Sequence, residues 1–255
     1  MPCDVHVDLE AALTHLAAHG WARLGRLLDD DRCAALRAAA DDLMLGRAPR
    51  DGIFFQHDAP TGAYDDLAYG QGWVGPSLSY RKIEKLERVA AFRAWIEDPI
   101  VERVARARIP GDIALYRAVL WTKSGAGGVE LPWHQDGGRF WGVDRQPELT
   151  VWTALDDAPV EAGCVEVIDG SHAGGLATAE GGTIPPELTA PVEARARPLP
   201  VRAGEVLLLH NLVWHRSRRN TTGAPRRALS ACYMSAATRC TRTRKAPRTF
   251  LRLFV

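Results

Sequence analysis

Asp112-Ile113-Ala114-Leu115-Tyr116-Arg117-Ala118-Val119-Leu120-Trp121 is the stretch on which the fold turns. Ile113, Leu115, Val119 and Trp121 alternate with other residues, as a strand facing a core would. Downstream, Leu149–Leu155, Cys164–Ile168, Glu205–Leu209 and Arg227–Tyr233 are further strand candidates, separated by Gly- and Pro-rich turns. Upstream the period is helical. Asp8 can cap a helix with Leu9, Leu13 and Leu16 on one face, ended by Gly20. A short strand follows over Trp21–Leu28. The acidic cluster Asp29-Asp30-Asp31 then precedes a second helix carrying Leu36, Ala40 and Leu43, which stops at Gly46. Two more helical pieces run through Phe92, Trp95 and Ile96 and from Pro99 to Arg108. Helices first and strands after predict one α+β domain built on a double-sheet barrel.

Residues 47–80 differ from both halves. They are rich in Gly, Asp and aromatics (Phe54, Phe55, Tyr64, Tyr69, Trp73, Tyr80) and show no clear period. A connection this long is expected to act as a lid or substrate loop. The 255 residues carry 32 basic and 31 acidic side chains, a net charge of +1, which calls for neither nucleic acid nor a membrane surface. The five cysteines are widely spaced with no C-x-x-C, which argues against a disulfide framework or structural zinc. Met1–Leu13 has charges at Asp4, Asp8 and Glu10 and no apolar segment of a leader, and no stretch is apolar enough to span a bilayer, so a cytoplasmic setting is the expectation.

The chemistry centres on His134-Gln135-Asp136. Two residues apart on an extended chain point to the same side, so an imidazole and a carboxylate can reach one metal. A second histidine from elsewhere would complete a 2-His-1-carboxylate facial triad, which leaves three positions open for a bidentate oxoacid and O2. His210 and His215 compete for that place. Five apart, they would face opposite ways on a continuous strand. His215 is better placed because Ser217 and Arg226 follow it. A hairpin would bring Arg226 back to the level of the metal, its guanidinium forking onto a distal carboxylate. Arg227 would then face solvent.

These pieces, in order, resemble the phytanoyl-CoA dioxygenase family of Fe(II)/2-oxoglutarate oxygenases. The matching segments are Leu131-Pro132-Trp133-His134-Gln135-Asp136, Leu149–Leu155, Gly163 through Gly170-Ser171-His172, Trp214-His215-Arg216-Ser217, Asn220 and Arg226–Ser230. The resemblance covers about half the chain, Asp112–Tyr233. It implies a double-stranded β-helix (jelly-roll, cupin-like) core, with the N-terminal helices packed on one sheet. The single domain 1–255 would divide into a helical lead-in and substrate loop (1–110), the barrel (111–235) and a basic C-terminal segment (236–255). It further implies Fe(II) on His134, Asp136 and His215, and 2-oxoglutarate held at its distal carboxylate by Arg226 and Ser217. Trp152 would form an aromatic wall beside the cosubstrate. Lys82 aligns more loosely as a basic contact. Asp169 stands where the family often has Pro before Gly-Ser-His, which bears on the local turn.

The implied activity is hydroxylation of a small molecule (a natural-product intermediate, an amino acid or an acyl thioester), with release of succinate and CO2. The presence of Asp136 favours this over halogenation, since related halogenases lack the carboxylate. Two alternatives stand beside it: the same cofactors with desaturation, epoxidation or cyclisation, and a non-catalytic cupin-like metal-binding protein. The run Arg239–Arg252, with six basic and no acidic residues, is a solvated face or a contact for an anionic substrate or carrier.

Overall fold

The computed structural model describes residues 7–125, 128–243 and 247–255. Cys3 and Asp4, and Arg244 and Lys245 of the basic run, lie outside the described residues. The lead-in forms as local signals dictate. In α1 (Leu9–His19) the Asp8 carboxylate accepts from Ala11 N at 3.0 Å, and Gly20, at φ +81°, donates back to Leu16 O. After β1 (Trp21–Arg26), Asp29 caps α2 (Asp30–Met44) by accepting from Arg32 N at 2.8 Å. α3 (Ala90–Ile96) and α4 (Pro99–Arg108) follow, the latter capped by Asp98 with Pro99 where no N–H is needed.

Two antiparallel sheets face each other. The larger runs in the order β1, β10 (Glu205–Leu209), β6 (Leu149–Ala154), β12 (Arg226–Ser235), β4 (Ile113–Lys123), β3 (Tyr80–Glu84) and β2 (Phe54–His57), with β13 (Leu251–Phe254) added beside β4. The smaller runs β8 (Gly182–Thr183), β5 (Leu131–Gln135), β11 (His215–Ser217), β7 (Val165–Ile168) and β9 (Ala196–Leu199). The outward face of the larger sheet presents Val151, Leu208 and Leu229 to Leu36, Leu43 and Phe92 of the helices. Its inward face meets the smaller sheet through Trp152, Leu207 and Ala228 against Val165, Val167 and Leu199. This is the α+β double-stranded β-helix with helices on one sheet. Among the described residues no helix is long and apolar enough to cross a membrane.

Three local expectations need correction. The alternation in β4 is broken: Ile113 and Leu115 pack with the helices, whereas Trp121 lines the barrel interior. Opposite β12 the register skips Tyr116, and that one extra residue turns the rest of the strand over. Residues 47–80 are not all loop, because Phe54–His57 form the edge strand β2. A four-residue strand with a register shift at Gln56/His57 is too short to show a period. The basic run also leads into a strand, β13. Within that run Arg248 donates to Tyr116 O at 3.0 Å, and Arg252 lies 3.6 Å from Asp112.

Candidate active site

β5 and β11 lie side by side, and their register sets His134 opposite His215 with ring centroids 4.0 Å apart. Asp136 stands just beyond the end of β5. Its N–H donates to Asn211 O at 2.8 Å, and its carbonyl accepts from Asn211 Nδ2 at 3.1 Å, so one buried asparagine fixes its backbone. One ligand atom from each of His134, Asp136 and His215 lies within 4.8 Å of the other two. His134 Nε2 is 4.0 Å from Asp136 Oδ1, and His215 Nε2 is 3.9 Å from Oδ2.

The tautomers follow from the backbone. His134 Nδ1 is 2.9 Å from Pro132 O, and His215 Nδ1 is 2.9 Å from Val213 O. A carbonyl only accepts, so each Nδ1 carries the proton and each Nε2 turns its lone pair to the centre. Burial, reinforced by His215, pushes the His134 pKa down to about 3. Burial alone would raise the Asp136 carboxyl, but Arg117 and the two histidines outweigh it and hold the group below the usual carboxylate range. A neutral imidazole and an ionised carboxylate are the states a divalent cation requires. His210 stays outside this group. It accepts from Leu212 N at 3.1 Å and lies 4.9 Å, ring to ring, from His172.

The cavity bordered by the triad is also lined by Trp152, Ser217 and Arg226. Arg226 is 3% exposed, and its Nη2 donates to Gly163 O at 2.9 Å. Its Nε is buried with no partner, and it makes no ion pair among the described residues. Burial lowers its pKa to about 10. The guanidinium carbon sits 5.9 Å from the centre of the Trp152 ring. Gly163 has φ +70°, and a Cβ there would stand 2.2 Å from Arg218 O, so only glycine allows this approach.

Two expected placements differ. Lys82 does not line this cavity: it pairs with Glu84 and lies against the rings of Trp121 and Phe54. The neighbouring cation, Arg81, lines the cavity instead. Arg227 does not face solvent. Its side chain is 11% exposed and is paired with Asp41 and Asp156, because the outward face of the sheet is covered by helices. Asp169 also has a use: it accepts from Trp21 Nε1 at 2.6 Å and meets His19 Nδ1 at 2.7 Å, tying the Gly170-Ser171-His172 turn to the first helix.

A model of the phytanoyl-CoA dioxygenase (PhyH) family matches residues 16–228. The chain belongs to the phytanoyl-CoA dioxygenase family. It is 32% identical over 217 residues to phytanoyl-CoA dioxygenase domain-containing protein 1 of Bos taurus, covering 79% of this chain and 72% of that one. Among solved structures it resembles EctD from S. alaskensis, with a TM-score of 0.73 at 21% identity over 99% of this chain and 86% of that one. It also resembles the epimerase SnoN in complex with Fe3+, alpha ketoglutarate and nogalamycin RO, with a TM-score of 0.71 at 20% identity over 93% and 88%. Family membership and the buried 2-His-1-carboxylate cluster together make this phytanoyl-CoA dioxygenase family member an oxidoreductase of the Fe(II)/2-oxoglutarate-dependent class.

The sequence alone did not point to Arg117, Asn211 or Lys123. Arg117 Nη2 donates to Asp136 Oδ1 at 3.2 Å, and its guanidinium stacks 4.4 Å from the centre of the Trp141 ring. A charge in the middle of a mostly apolar strand is the available signal. Asn211 lies beside the triad only in three dimensions and leaves no local mark.

Proposed function

We propose that this chain hydroxylates a small molecule, using Fe(II) held by His134, Asp136 and His215 and 2-oxoglutarate anchored through Arg226. The observation that carries the reading is one cavity with two complementary ends. At one end, one ligand atom from each of three residues lies within 4.8 Å of the other two. At the other, a buried guanidinium has a free donor and, among the described residues, no ion-pair partner. The donor set suits iron: two imidazoles and one carboxylate leave open positions for an oxoacid and O2. When bound, the metal and the oxoacid supply O2 activation with release of succinate and CO2.

The protein's own groups bind and orient. Pro132 O and Val213 O hold the imidazoles by their Nδ1 protons. Arg117 holds one Asp136 oxygen, which leaves the other directed toward His215. Arg226 fixes the distal carboxylate by charge-assisted hydrogen bonds, with Trp152 as a flat wall and Ser217 beside it. Lys82 is left out of this set because Glu84 already neutralises it. The barrel walls exclude water from the reacting groups. The carboxylate at Asp136 favours oxygen insertion over halogenation.

Incubation with Fe(II), 2-oxoglutarate, O2 and a panel of small molecules, with succinate and product mass followed together, tests the reading. The expected result is succinate formation stimulated by one substrate class and a product heavier by one oxygen atom. A product lighter by two hydrogens would replace hydroxylation with desaturation. Absence of succinate from iron-loaded protein, with or without substrate, would leave only metal binding.

A further inference from the structure

Lys123 and Arg226 are register partners across the β4–β12 pair. Both line the cavity shared with the triad, and they are 4% and 3% exposed. Lys123 Nζ donates to Val129 O at 2.5 Å and to Ser217 O at 3.3 Å, so the ammonium reaches from the larger sheet to a strand of the smaller one. Both acceptors are neutral carbonyls. Like Arg226, Lys123 makes no ion pair among the described residues. Among the acidic groups Asp58 gives the largest relief and Glu130 the next, but the Asp58 carboxylate accepts from Val129 N at 3.2 Å. Burial, with repulsion from Arg226 and Arg81, drives the Lys123 ammonium well below the ordinary lysine range. Two buried cations side by side are unfavourable unless something supplies negative charge between them.

We propose that Lys123 is a second anchor for the distal carboxylate of 2-oxoglutarate, clamping it together with Arg226 and setting the preference of this pocket for oxodiacids over oxoacids without a distal carboxylate. The proposal rests on the cosubstrate assigned above. Arg226 directs one Nη2 hydrogen to Gly163 O and keeps Nε free. A fork from its remaining donors fills two of the roughly four lone-pair sites of a carboxylate and leaves the others for a second donor. An ammonium across the strand pair supplies a charge from the other side. The clamp also explains why a lysine ends β4 inside the barrel, where an apolar residue would pack at no electrostatic cost.

Anaerobic calorimetric titration of the Fe(II)-loaded protein with 2-oxoglutarate, and separately with 2-oxobutyrate, tests this. Lys123→Met is expected to weaken 2-oxoglutarate by about tenfold or more, the scale of one charge-assisted hydrogen bond. Binding of 2-oxobutyrate should change little, and Lys123→Arg should restore the discrimination. Lys123→Gln keeps donors for the two carbonyls without the charge, and it must show the same selective loss should the methionine variant not fold. Equal weakening of both oxoacids would make Lys123 a scaffold residue and overturn the clamp. So would unchanged 2-oxoglutarate affinity in the glutamine variant of a protein whose wild type binds it tightly. Failure of the wild type to bind 2-oxoglutarate at all would overturn the cosubstrate assignment and the clamp with it.

Discussion

On the helix-covered side of the larger sheet, Arg227 donates through Nε and Nη2 to the two oxygens of Asp156 at 2.7 and 3.0 Å, and through Nη1 to Asp41 at 2.7 Å. On the barrel side, one residue earlier, Arg226 is more deeply buried, donates to the carbonyl of Gly163 and lies near the Trp152 ring, with no ion pair among the described residues. The two guanidiniums share a strand and differ in compensation. Where the chain supplies the counter-charge, the cation is part of the scaffold. Where it does not, the cation is the one proposed above to take the cosubstrate. Arg216 shows that lining the cavity is not enough, because Glu166 and Glu193 neutralise it.

The largest effects should come from the triad, where the contrast is between inner and outer histidines. His134→Ala or His215→Ala should abolish Fe(II) binding and succinate formation together. His210→Ala, outside the cluster, should retain iron at about one equivalent. Metal analysis after anaerobic reconstitution decides this, and retention by His215→Ala with loss in His210→Ala would reverse the assignment.

Next comes the pair of arginines. Removing one partner of a buried ion pair costs roughly 3–5 kcal/mol. Arg226→Ala should therefore raise the KM for 2-oxoglutarate about a hundredfold or more. Iron binding should survive, and pyruvate, without a distal carboxylate, should be affected much less. Arg227→Ala should do the opposite. Cosubstrate kinetics should hold, while stability falls by about 1.5–3 kcal/mol, the scale of hydrogen bonds to charged groups. The urea midpoint would report that loss.

Much of this contrast was legible in the sequence. His134-Gln135-Asp136 and the segment from Trp214 to Ser230 contained the three residues that cluster and the inward arginine, because strand periodicity sends adjacent residues to opposite faces and residues two apart to the same one. Periodicity does not tell what covers the other face, so Arg227 was expected in solvent although α2 and Asp156 enclose it. Period also fails at a bulge, as in β4, and in a four-residue edge strand such as β2. Lys123 was silent for a different reason. A lysine closing a strand looks like any solvated strand end until the partner strand and the cavity are known.

A smaller effect concerns pH in the metal-free protein. Burial, with His172 adding repulsion, pushes the His210 pKa down to about 4 from an ordinary 6.5. The unfolded chain takes up this proton first, so stability should fall as pH drops from 6.5 toward 4 and level off below. His134, lowered to about 3, adds to the fall and carries it on toward pH 3. Urea unfolding at a series of pH values checks this, and His210→Asn should flatten the slope. The smallest effect separates two parts of 47–80. Amides of Phe54–His57, paired with β3, should exchange slowly in all states. Those around Tyr69, Val74 and Leu78, whose side chains are exposed, should slow only on substrate binding. Uniform slow exchange throughout would make the whole segment fixed wall.

The most direct test of the central claim, that an uncompensated inner cation marks the cosubstrate site beside the iron, is an anaerobic titration of Fe(II)-loaded protein with 2-oxoglutarate, following the visible charge-transfer band. The band should saturate at similar concentrations in wild type and Arg227→Ala, and should require about a hundredfold more cosubstrate in Arg226→Ala. Absence of the band in folded, iron-loaded wild type at saturating 2-oxoglutarate, or an unchanged titration in Arg226→Ala with the loss appearing in Arg227→Ala, would contradict it.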